Sequence, residues 1–365
     1  MKSGSFVFAG GGTGGHLFPG LAVADALRRR QLDAAVTFFT TTRSLDRQLL
    51  EPTAYRQVEQ PVRPLTVHPL RLPAFLWCWH RSVRAARAFL RREEPRAVLG
   101  LGGYAAGPPV VAARSLGIRT AILNPDAIPG RANRHLARYA DLVVLQWDVS
   151  CEFFPPGTDC RAFGCPIRAE FGTPDPAEGR RRFQLDEARP VLVVTGASQG
   201  AHTVNQAIQR VWPEFHAAHP DWQLLHLTGL ADEAEVRAAL ARADAPAQVV
   251  SFTPEMWLAL APADLVVSRA GASTLAELTA LGKPSILLPY PYHRDRHQHA
   301  NAQVLVDQGA AIVLEDHLQP ERNAPPLRAA LEKLADPALR QRMSQAAAGL
   351  ARPGAADEVA AWLSA

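Results

Sequence analysis

The sequence contains only four cysteines, Cys78, Cys151, Cys160 and Cys165, in 365 residues. None of them forms a Cys-x-x-Cys pair, and no histidine spacing completes a zinc site. The pattern therefore favours free thiols in a reducing cytoplasm over a structural metal.

Long apolar runs are also missing, since no stretch approaches the roughly 18 residues that a membrane-spanning helix needs. No signal peptide is recognisable either, because Lys2 is followed at once by a short apolar run and a glycine-rich loop. These two absences predict a cytoplasmic protein without a transmembrane segment.

Lysine is nearly absent, and arginine carries the basicity of the chain. The only lysines are Lys2, Lys283 and Lys333, yet Lys and Arg together number 39 against 35 Asp and Glu, for a formal net charge of +4. Apolar residues make up 47% and charged residues 20%, which argues against a disordered chain. At this length we predict two domains, each with its own core.

Short apolar runs alternate with helical patterns along the whole chain. Because these runs are apolar throughout, they predict strands that are covered on both faces. The helical patterns between them predict parallel βαβ units. The predicted strands are Phe6–Ala9, Val36–Thr40, Ala97–Leu101, Thr120–Leu123, Leu142–Leu145, Val191–Thr195, Gln223–Leu227, Gln248–Phe252, Leu265–Val267 and Ser285–Pro289.

The pattern starts again in the middle of the chain. A polar stretch from Glu170 to Pro190 separates two series, and each series opens with a strand, a loop of small residues and a helix. We therefore predict an α/β protein of two doubly wound, Rossmann-like domains that face a central cleft. The predicted domains are residues 1–163 and 164–344, with a C-terminal helix at about 345–365 that packs back onto the first domain.

The most informative motif is the glycine-rich loop Gly10–Gly15, which lies between the first strand and a helix that carries His16. Glycines in such a unit let an anion approach the backbone closely. The G-x-G-x-x-G spacing also fits a dinucleotide-binding fold, which requires an acid at the end of the second strand. That strand ends Thr40-Thr41-Thr42-Arg43 without an acid, which weakens the dinucleotide alternative, although Arg43 could serve an NADP version.

Two further loops of small residues open helices in the second half. Thr195–Gly200 places Ser198 at a helix start, where it can either hold a diphosphate or cap the helix. Ser268–Glu277 places small residues at a helix start and Glu277 in the second turn. A carboxylate there can accept both hydroxyl hydrogens of a ribose 2′,3′-diol, and we favour this role over that of a solvated glutamate.

A histidine-rich segment, Pro289–Ala302, follows the last predicted strand. Ligands of open α/β sheets bind at strand ends, so His297 and Gln298 are candidates for polar contacts to a sugar. His293 and His299 are interpreted as surface residues, and the arginines between them argue against a bound metal.

Seven motif stretches occur together and in order: GGTGGHLFPGLAVADAL at the N-terminus, GGYAAGPPVVAARSLGI from Gly102, AIPGRANRHLARYAD from Ala127, FGCPIR from Phe163, VTGASQGAHTVNQA from Val194, SRAGASTLAEL from Ser268 and DRHQHANA from Asp295. Together they resemble the MurG family, which transfers N-acetylglucosamine (GlcNAc) from UDP-GlcNAc and thereby adds the second sugar of the peptidoglycan lipid precursor. The resemblance covers most of the chain and is far more specific than any single glycine motif. It implies the GT-B fold.

The resemblance also implies a role for residues in each motif. His16 is the natural candidate for activating the acceptor. The implied donor contacts are Thr13, Gly14 and Gly15 beside the sugar, Arg168 and Ser198 at the diphosphate, the backbone at Thr253 on uracil, Ala272, Ser273 and Thr274 on the phosphates, Glu277 on the ribose, and Gln298 with His297 on GlcNAc.

One position departs from the family pattern. The family usually reads His-Glu-Gln-Asn where this chain has Leu123-Asn124-Pro125-Asp126, so the sugar-contacting asparagine is Asp126. The change keeps the side-chain size but exchanges an amide for a carboxylate. Asp126 can accept sugar hydroxyls or act as a base toward the acceptor hydroxyl.

An acceptor on an undecaprenyl chain requires contact with a bilayer. The segment from Pro69 to Arg81 combines tryptophan, phenylalanine and leucine with flanking arginines, as in an interfacial helix on anionic lipid. A packed helix with a basic outer face explains part of the same pattern, and a nucleic-acid interface is disfavoured because no recognised module accompanies it. The predicted membrane contacts are Leu70, Arg71, Leu72, Phe75, Trp77, Arg81 and Arg84.

The predicted activity is inverting transfer of GlcNAc from UDP-GlcNAc to the 4-hydroxyl of N-acetylmuramic acid (MurNAc) on lipid I, undecaprenyl-pyrophosphoryl-MurNAc-peptide. His16 or Asp126 takes the hydroxyl proton, and no metal or other cofactor is expected, since helix dipoles and Arg168 can stabilise UDP. The enzyme is expected at the cytoplasmic face of the inner membrane, bound peripherally. The alternatives are a GT-B transferase with another lipid acceptor, a UDP-GlcNAc 2-epimerase, and a sugar-nucleotide-binding protein without activity.

Overall fold

A computed structural model describes residues 4–64, 66, 68, 70–196, 200–292 and 295–365. The chain forms two compact units. Unit 1 comprises Met1–Arg168 with Arg352–Ala365, and unit 2 comprises Ala169–Ala351.

The elements of each unit alternate between strand and helix. The first stretch of unit 1 contains β1 (Ser5–Ala9), α1 (Gly14–Arg30), β2 (Ala35–Thr40), α2 (Ser44–Leu50), β3 (Arg56–Glu59), α3 (Leu72–Glu93), β4 (Ala97–Gly100), α4 (Gly107–Ser115), β5 (Arg119–Asn124), α5 (Arg131–Leu136), β6 (Leu142–Leu145) and β7 (Cys160–Arg161). Unit 2 contains α6 (Pro176–Arg182), β8 (Val191–Thr195), α7 (His202–Ala218), β9 (Gln223–Leu227), α8 (Glu233–Arg242), β10 (Gln248–Val250), α9 (Met256–Leu260), β11 (Leu265–Ser268), α10 (Ala272–Ala280), β12 (Ser285–Leu287), α11 (His297–Asp307), β13 (Ala311–Val313), α12 (Pro320–Lys333) and α13 (Pro337–Gly349). The chain then returns to unit 1 with α14 (Ala355–Ser364).

Both sheets are doubly wound. Within the described ranges, the strand order is β3-β2-β1-β4-β5-β6-β7 in unit 1 and β10-β9-β8-β11-β12-β13 in unit 2, and the paired strands are parallel. The order reverses direction between β1 and β4 and between β8 and β11. Ligands of such sheets bind beyond the carboxyl ends of the strands at these switch points, so the loops after these strands are the candidate site.

Three strands were not predicted from the sequence, β3, β7 and β13. All three lie at a sheet edge, and they are short and at most partly covered. An edge strand does not need the continuous apolar run by which the central strands were recognised. The central strands β1 and β8, by contrast, are almost entirely buried.

The units also differ in their limits from the predicted domains of 1–163 and 164–344. The backbone N–H of Gly164 donates to the carbonyl of Leu145 at 2.9 Å, and a Cβ on Gly164 would come within 2.4 Å of Arg352, so this segment stays with unit 1. The C-terminal segment that returns to unit 1 begins at Arg352 rather than at about 345, because α13 belongs to unit 2. Only α14 joins the core formed by α1 and β1.

Candidate active site

The glycine-rich loop of unit 1 lies at the switch point between β1 and β4. Its Gly12 N–H donates to the Oδ1 atom of Asp46 at 2.7 Å, and the Arg43 guanidinium donates to the Gly12 carbonyl at 2.9 Å. The Asp46 side chain is fully buried. This amide is therefore already bonded to a carboxylate, which disfavours a dinucleotide pyrophosphate at this point of the loop.

Asp46 is a residue that the sequence analysis missed. A dinucleotide-binding fold requires an acid at the end of the second strand, where it binds a ribose. The structure has an acid slightly later, in the first turn of α2, and it bonds the glycine loop instead. A buried aspartate in the first turn of a short polar helix gives no periodic signal by which it could have been recognised.

His16 lies in the first turn of α1, next to the glycine loop. Its Nδ1 atom is 3.2 Å from the Gly11 carbonyl oxygen and 3.2 Å from the Thr13 hydroxyl. Cβ atoms on Gly102 and Gly103 would come within 3.2 and 3.0 Å of the imidazole ring, and the positive φ of both residues favours glycine. Burial lowers the pKa of His16 below its ordinary value of 6.5, although the Gly11 carbonyl, Asp126 and Asp46 act in the opposite direction. The ring is therefore neutral near pH 7.

Asp126 follows β5 and lies close enough to His16 for its charge to raise the pKa of the imidazole. Its backbone is held from two sides, because its carbonyl oxygen accepts from Asn124 Nδ2 at 2.8 Å and from the Ser150 hydroxyl at 3.0 Å. The structure thus brings together in unit 1 the two residues that were proposed as alternative bases. If His16 accepts the proton, the nearby carboxylates Asp126 and Asp46 stabilise the imidazolium that forms.

The other predicted contacts in unit 1 lie at or near the start of α1. Thr13 immediately precedes α1, and Gly14 and Gly15 are its first two residues. Arg168 is the last residue of unit 1, and its guanidinium carbon lies 5.1 Å from the ring centroid of Phe18 in α1. The sequence assigned Arg168 to the second domain, whereas the structure places it beside the helix that carries His16.

In unit 2 the predicted donor residues gather at the carboxyl edge of the sheet. Ser198 lies outside the described residues, as does His293. The helix α10 begins at Ala272 directly after β11, so Ala272, Ser273 and Thr274 form its first turn. Backbone N–H groups in the first turn of a helix suit phosphate oxygens. Glu277 is partly buried one turn further along.

Thr253 follows β10, and His297 and Gln298 are the first two residues of α11, which follows β12. Thr253 is buried after β10, and its hydroxyl accepts from the Glu255 N–H at 3.1 Å. His297 opens α11, with its Nδ1 atom 2.7 Å from Asp295. The Oε1 atom of Gln298 accepts from the Tyr290 N–H at 2.9 Å, an arrangement that directs its amide NH₂ group elsewhere and suits donation to a sugar hydroxyl.

Arg269 is a second residue to which the sequence analysis gave no role. Its guanidinium is buried, lies 2.7 Å from Asp316, and donates to the Leu288 carbonyl at 3.0 Å and the Thr203 hydroxyl at 2.9 Å. Burial acts to raise the pKa of Asp316, but hydrogen bonds from Thr203 and from Arg269 itself, among others, hold it below its ordinary value. One cation thus joins the loop before α10 to α7 and to the end of β12.

We expect Arg269→Met to lower the free energy of unfolding by about 3–5 kcal/mol, because it leaves the Asp316 carboxylate buried without its cation. Denaturant titration measures the change. The matched control is Arg210→Met, which removes an exposed ion pair with Glu321 and should cost about 0–1 kcal/mol. Equal losses in the two variants would contradict the structural role of Arg269.

The predicted membrane contacts lie in α3 and in the two residues that precede it. Leu70 and Trp77 are 86% and 61% exposed. Leu72 and the arginines at 71, 81 and 84 are exposed too, and the Arg81 guanidinium lies 5.2 Å from the centroid of the Trp77 ring.

Phe75 is instead half-buried, with its ring centroid 6.2 Å from that of Trp79. Trp79 packs on Gly107, which explains why this face of the helix does not face solvent. Leu76, which was not predicted, is 45% exposed, and no helix in the described ranges has the length and apolarity to cross a bilayer.

Comparison with known proteins places these features in a family. The models of the glycosyltransferase family 28 N-terminal and C-terminal domains match residues 6–145 and 191–359. The chain is 37% identical over 362 residues to the UDP-N-acetylglucosamine–N-acetylmuramyl-(pentapeptide) pyrophosphoryl-undecaprenol N-acetylglucosamine transferase of Desulforudis audaxviator, covering 97% of this chain and 96% of that protein.

Solved structures agree with this similarity. The MurG structure from Acinetobacter baumannii aligns with a TM-score of 0.76 and 26% identity over 99% of both chains. The UDP-GlcNAc 2-epimerase from Neisseria meningitidis aligns with a TM-score of 0.69 at 13% identity, over 98% of this chain and 99% of that one, which shows a shared fold alone. These similarities confirm the predicted GT-B fold class. The chain therefore belongs to glycosyltransferase family 28 and, within it, to the MurG family of N-acetylglucosamine transferases.

Proposed function

We propose that this protein transfers GlcNAc from UDP-GlcNAc to the MurNAc 4-hydroxyl of lipid I, with inversion at C1. The observation that carries the proposal is the similarity, over 97% of the chain, to a transferase named for this reaction. The geometry of each unit agrees with it, since unit 1 holds a neutral imidazole beside a glycine loop and unit 2 presents a helix N-terminus with a carboxylate one turn later.

Unit 2 binds the donor in this proposal. The first turn of α10 receives the phosphates, and Glu277 accepts the two ribose hydroxyl hydrogens. Gln298 and His297 contact the sugar, and the backbone at Thr253 contacts uracil. The N-terminal dipole of α10 stabilises the negative charge that develops on UDP as the bond to C1 breaks, so binding and leaving-group stabilisation use the same groups.

Unit 1 activates the acceptor. The 4-hydroxyl oxygen of MurNAc attacks C1 of GlcNAc from the face opposite UDP. The C1–oxygen bond to UDP breaks, and its electron pair stays on the diphosphate. His16 Nε2 accepts the hydroxyl proton, which is the role of a general base with a pKa below the working pH.

The acceptor has an undecaprenyl chain, so the enzyme must work at a bilayer. We assign the bilayer contact to the exposed end of α3, where apolar and cationic side chains alternate as in helices that lie on anionic lipid. The site of action follows as the cytoplasmic face of the inner membrane, with peripheral attachment.

We expect Trp77→Ala to weaken binding to vesicles that contain anionic lipid by about tenfold, because one large apolar side chain no longer enters the interface. Sedimentation with vesicles measures the partition coefficient. Leu230→Ala is the matched control, since Leu230 is 83% exposed but lies in unit 2. An equal loss in both variants, or none in Trp77→Ala, would contradict the assignment of α3.

The function itself is tested with labelled UDP-GlcNAc in the presence and absence of lipid I. Release of UDP that depends on lipid I, together with label in the lipid fraction, supports the proposal. Conversion of UDP-GlcNAc to its 2-epimer without acceptor would instead support the epimerase alternative, for which the shared fold is the only structural argument. Transfer to a different lipid acceptor but not to lipid I would replace the proposed acceptor.

A further inference from the structure

The Asp46 carboxylate is hydrogen-bonded to the peptide that joins Gly11 to Gly12. Oδ1 accepts from the Gly12 N–H at 2.7 Å, and Oδ2 accepts from the Thr41 N–H at 3.0 Å and from the Thr41 hydroxyl. A Cβ on Gly11 would come within 2.4 Å of Oδ2, so a residue with a side chain cannot occupy this position without displacing the carboxylate. The buried Asp46 carboxylate has no direct role in the proposed transfer reaction.

The same peptide faces His16 with its other end. A trans peptide is planar, and its C=O and N–H groups point in opposite directions. Because Asp46 holds the N–H of the Gly11–Gly12 peptide, the Gly11 carbonyl is directed away from Asp46, and its oxygen lies 3.2 Å from His16 Nδ1. Arg43 fixes the next peptide through the Gly12 carbonyl. The hydrogen bonds of these two peptides with Asp46 and Arg43 therefore fix the orientation of the Gly11 carbonyl toward His16.

A carbonyl oxygen can only accept a hydrogen bond, so this contact requires the proton of the neutral imidazole to be on Nδ1. The Thr13 hydroxyl, also 3.2 Å from Nδ1, can rotate to accept as well. The lone pair is then on Nε2, the nitrogen that must receive a proton from the acceptor hydroxyl. Hydrogen bonding by one ring nitrogen is the usual way in which a protein sets the role of the other.

Two carboxylates near His16 also raise the pKa of its imidazole. Asp46 from α2 and Asp126 from the loop after β5 stabilise the protonated ring, whereas the loop after β4 faces the ring with Gly102 and Gly103 and no charge. The Arg43 guanidinium donates to the Gly12 carbonyl. Asp46 thus acts on His16 both through the peptide and through its charge.

We propose that Asp46 is a positioning residue that acts through the Gly11–Gly12 peptide to keep the proton of His16 on Nδ1, leaving Nε2 as the catalytic base. The inference rests on the proposed function only where it names Nε2 as the base. The tautomer itself is a property of the protein without substrate.

The test combines a variant with a direct measurement. Asp46→Asn keeps the side-chain size but replaces one acceptor oxygen by an NH₂ group. We expect kcat at neutral pH to fall about tenfold or more and the acidic limb of the kcat profile to move to lower pH, with the donor KM unchanged. The direction follows because removing the Asp46 charge, or turning the Gly11 carbonyl away, removes an influence that raises the pKa of His16.

Glu51→Gln is the matched control. Glu51 is exposed at the end of α2, so the variant removes the same charge from the same helix without touching the glycine loop. We expect its kcat and acidic limb to match the wild type. A normal kcat and an unmoved acidic limb in a folded Asp46→Asn variant would overturn the proposal.

The ring-nitrogen chemical shifts of His16 provide a readout that requires neither activity nor a stable variant. In ¹⁵N-labelled wild-type protein above the His16 pKa, we expect the Nδ1–H form. Observation of the Nε2–H form would overturn the proposal whatever the kinetics show. If the Nδ1–H form is found but His16→Ala retains its kcat, the tautomer of His16 stands, whereas its assignment as base and the catalytic part of the role of Asp46 fail.

Discussion

Replacing His16 with alanine is expected to lower kcat by about 100- to 10,000-fold, the range by which general bases accelerate proton transfer. The imidazole lies against the glycine loop in unit 1, whereas the proposed contacts to uracil and ribose and the helix N-terminus that receives the phosphates belong to unit 2. The affinity for UDP-GlcNAc should therefore stay within a few-fold of the wild type. Steady-state kinetics with lipid I, together with calorimetric titration of UDP-GlcNAc, measure the two quantities. A kcat near the wild-type value would show that His16 is not the base.

Asp126→Asn distinguishes the two candidate bases. If Asp126 acts only through its charge, kcat at neutral pH should change little and the acidic limb should move to lower pH, since Asp126 raises the pKa of His16. The wild-type limb itself should lie below pH 6.5, because burial lowers that pKa and the base works only in its neutral form. A loss of kcat as large as that in His16→Ala would assign proton transfer to Asp126 instead.

Replacing Glu277 with alanine is expected to raise the donor KM by about 100-fold or more. The carboxylate is proposed to accept two hydrogen bonds from the ribose, and hydrogen bonds to a charged group contribute roughly 1.5–3 kcal/mol each. The ribose is remote from the reacting carbon, so this binding is equal in the ground and transition states and kcat should stay within a few-fold. Initial rates at varied UDP-GlcNAc and saturating lipid I measure both parameters.

Two variants control this experiment. Glu277→Gln keeps one acceptor oxygen and should raise the donor KM less than alanine does. Glu321→Ala removes an exposed glutamate from the first turn of α12 in the same unit and should leave the donor KM unchanged. An unaltered donor KM in Glu277→Ala would remove the ribose assignment while leaving the proposed activity intact.

The architecture was largely predictable because the central strands of a doubly wound sheet are covered on both faces. That requirement leaves a continuous apolar run in the sequence, as in Val191–Thr195 and Leu142–Leu145, whose predicted and observed limits coincide. The edge strand Arg56–Glu59 needs no such run and was missed. The membrane contacts were harder to predict, because Phe75 and Trp77 are both large aromatic residues of the same segment. Only the packing of α3 on α4 shows that Phe75 is half-buried and Trp77 exposed.

The two doubly wound units, the family and the motifs at the strand ends could be read from the sequence, because strands, glycine turns and helix starts are local patterns. The role of the glycine-rich loop depends on contacts between distant parts of the chain. Its Gly12 amide bonds a carboxylate 34 residues away, and its Gly11 carbonyl faces His16. Parallel strands bring such distant loops to one edge of a sheet, and no local pattern records which donor meets which acceptor there. The loop that in sequence resembles a phosphate cradle is, in the folded protein, a support for the proposed catalytic base.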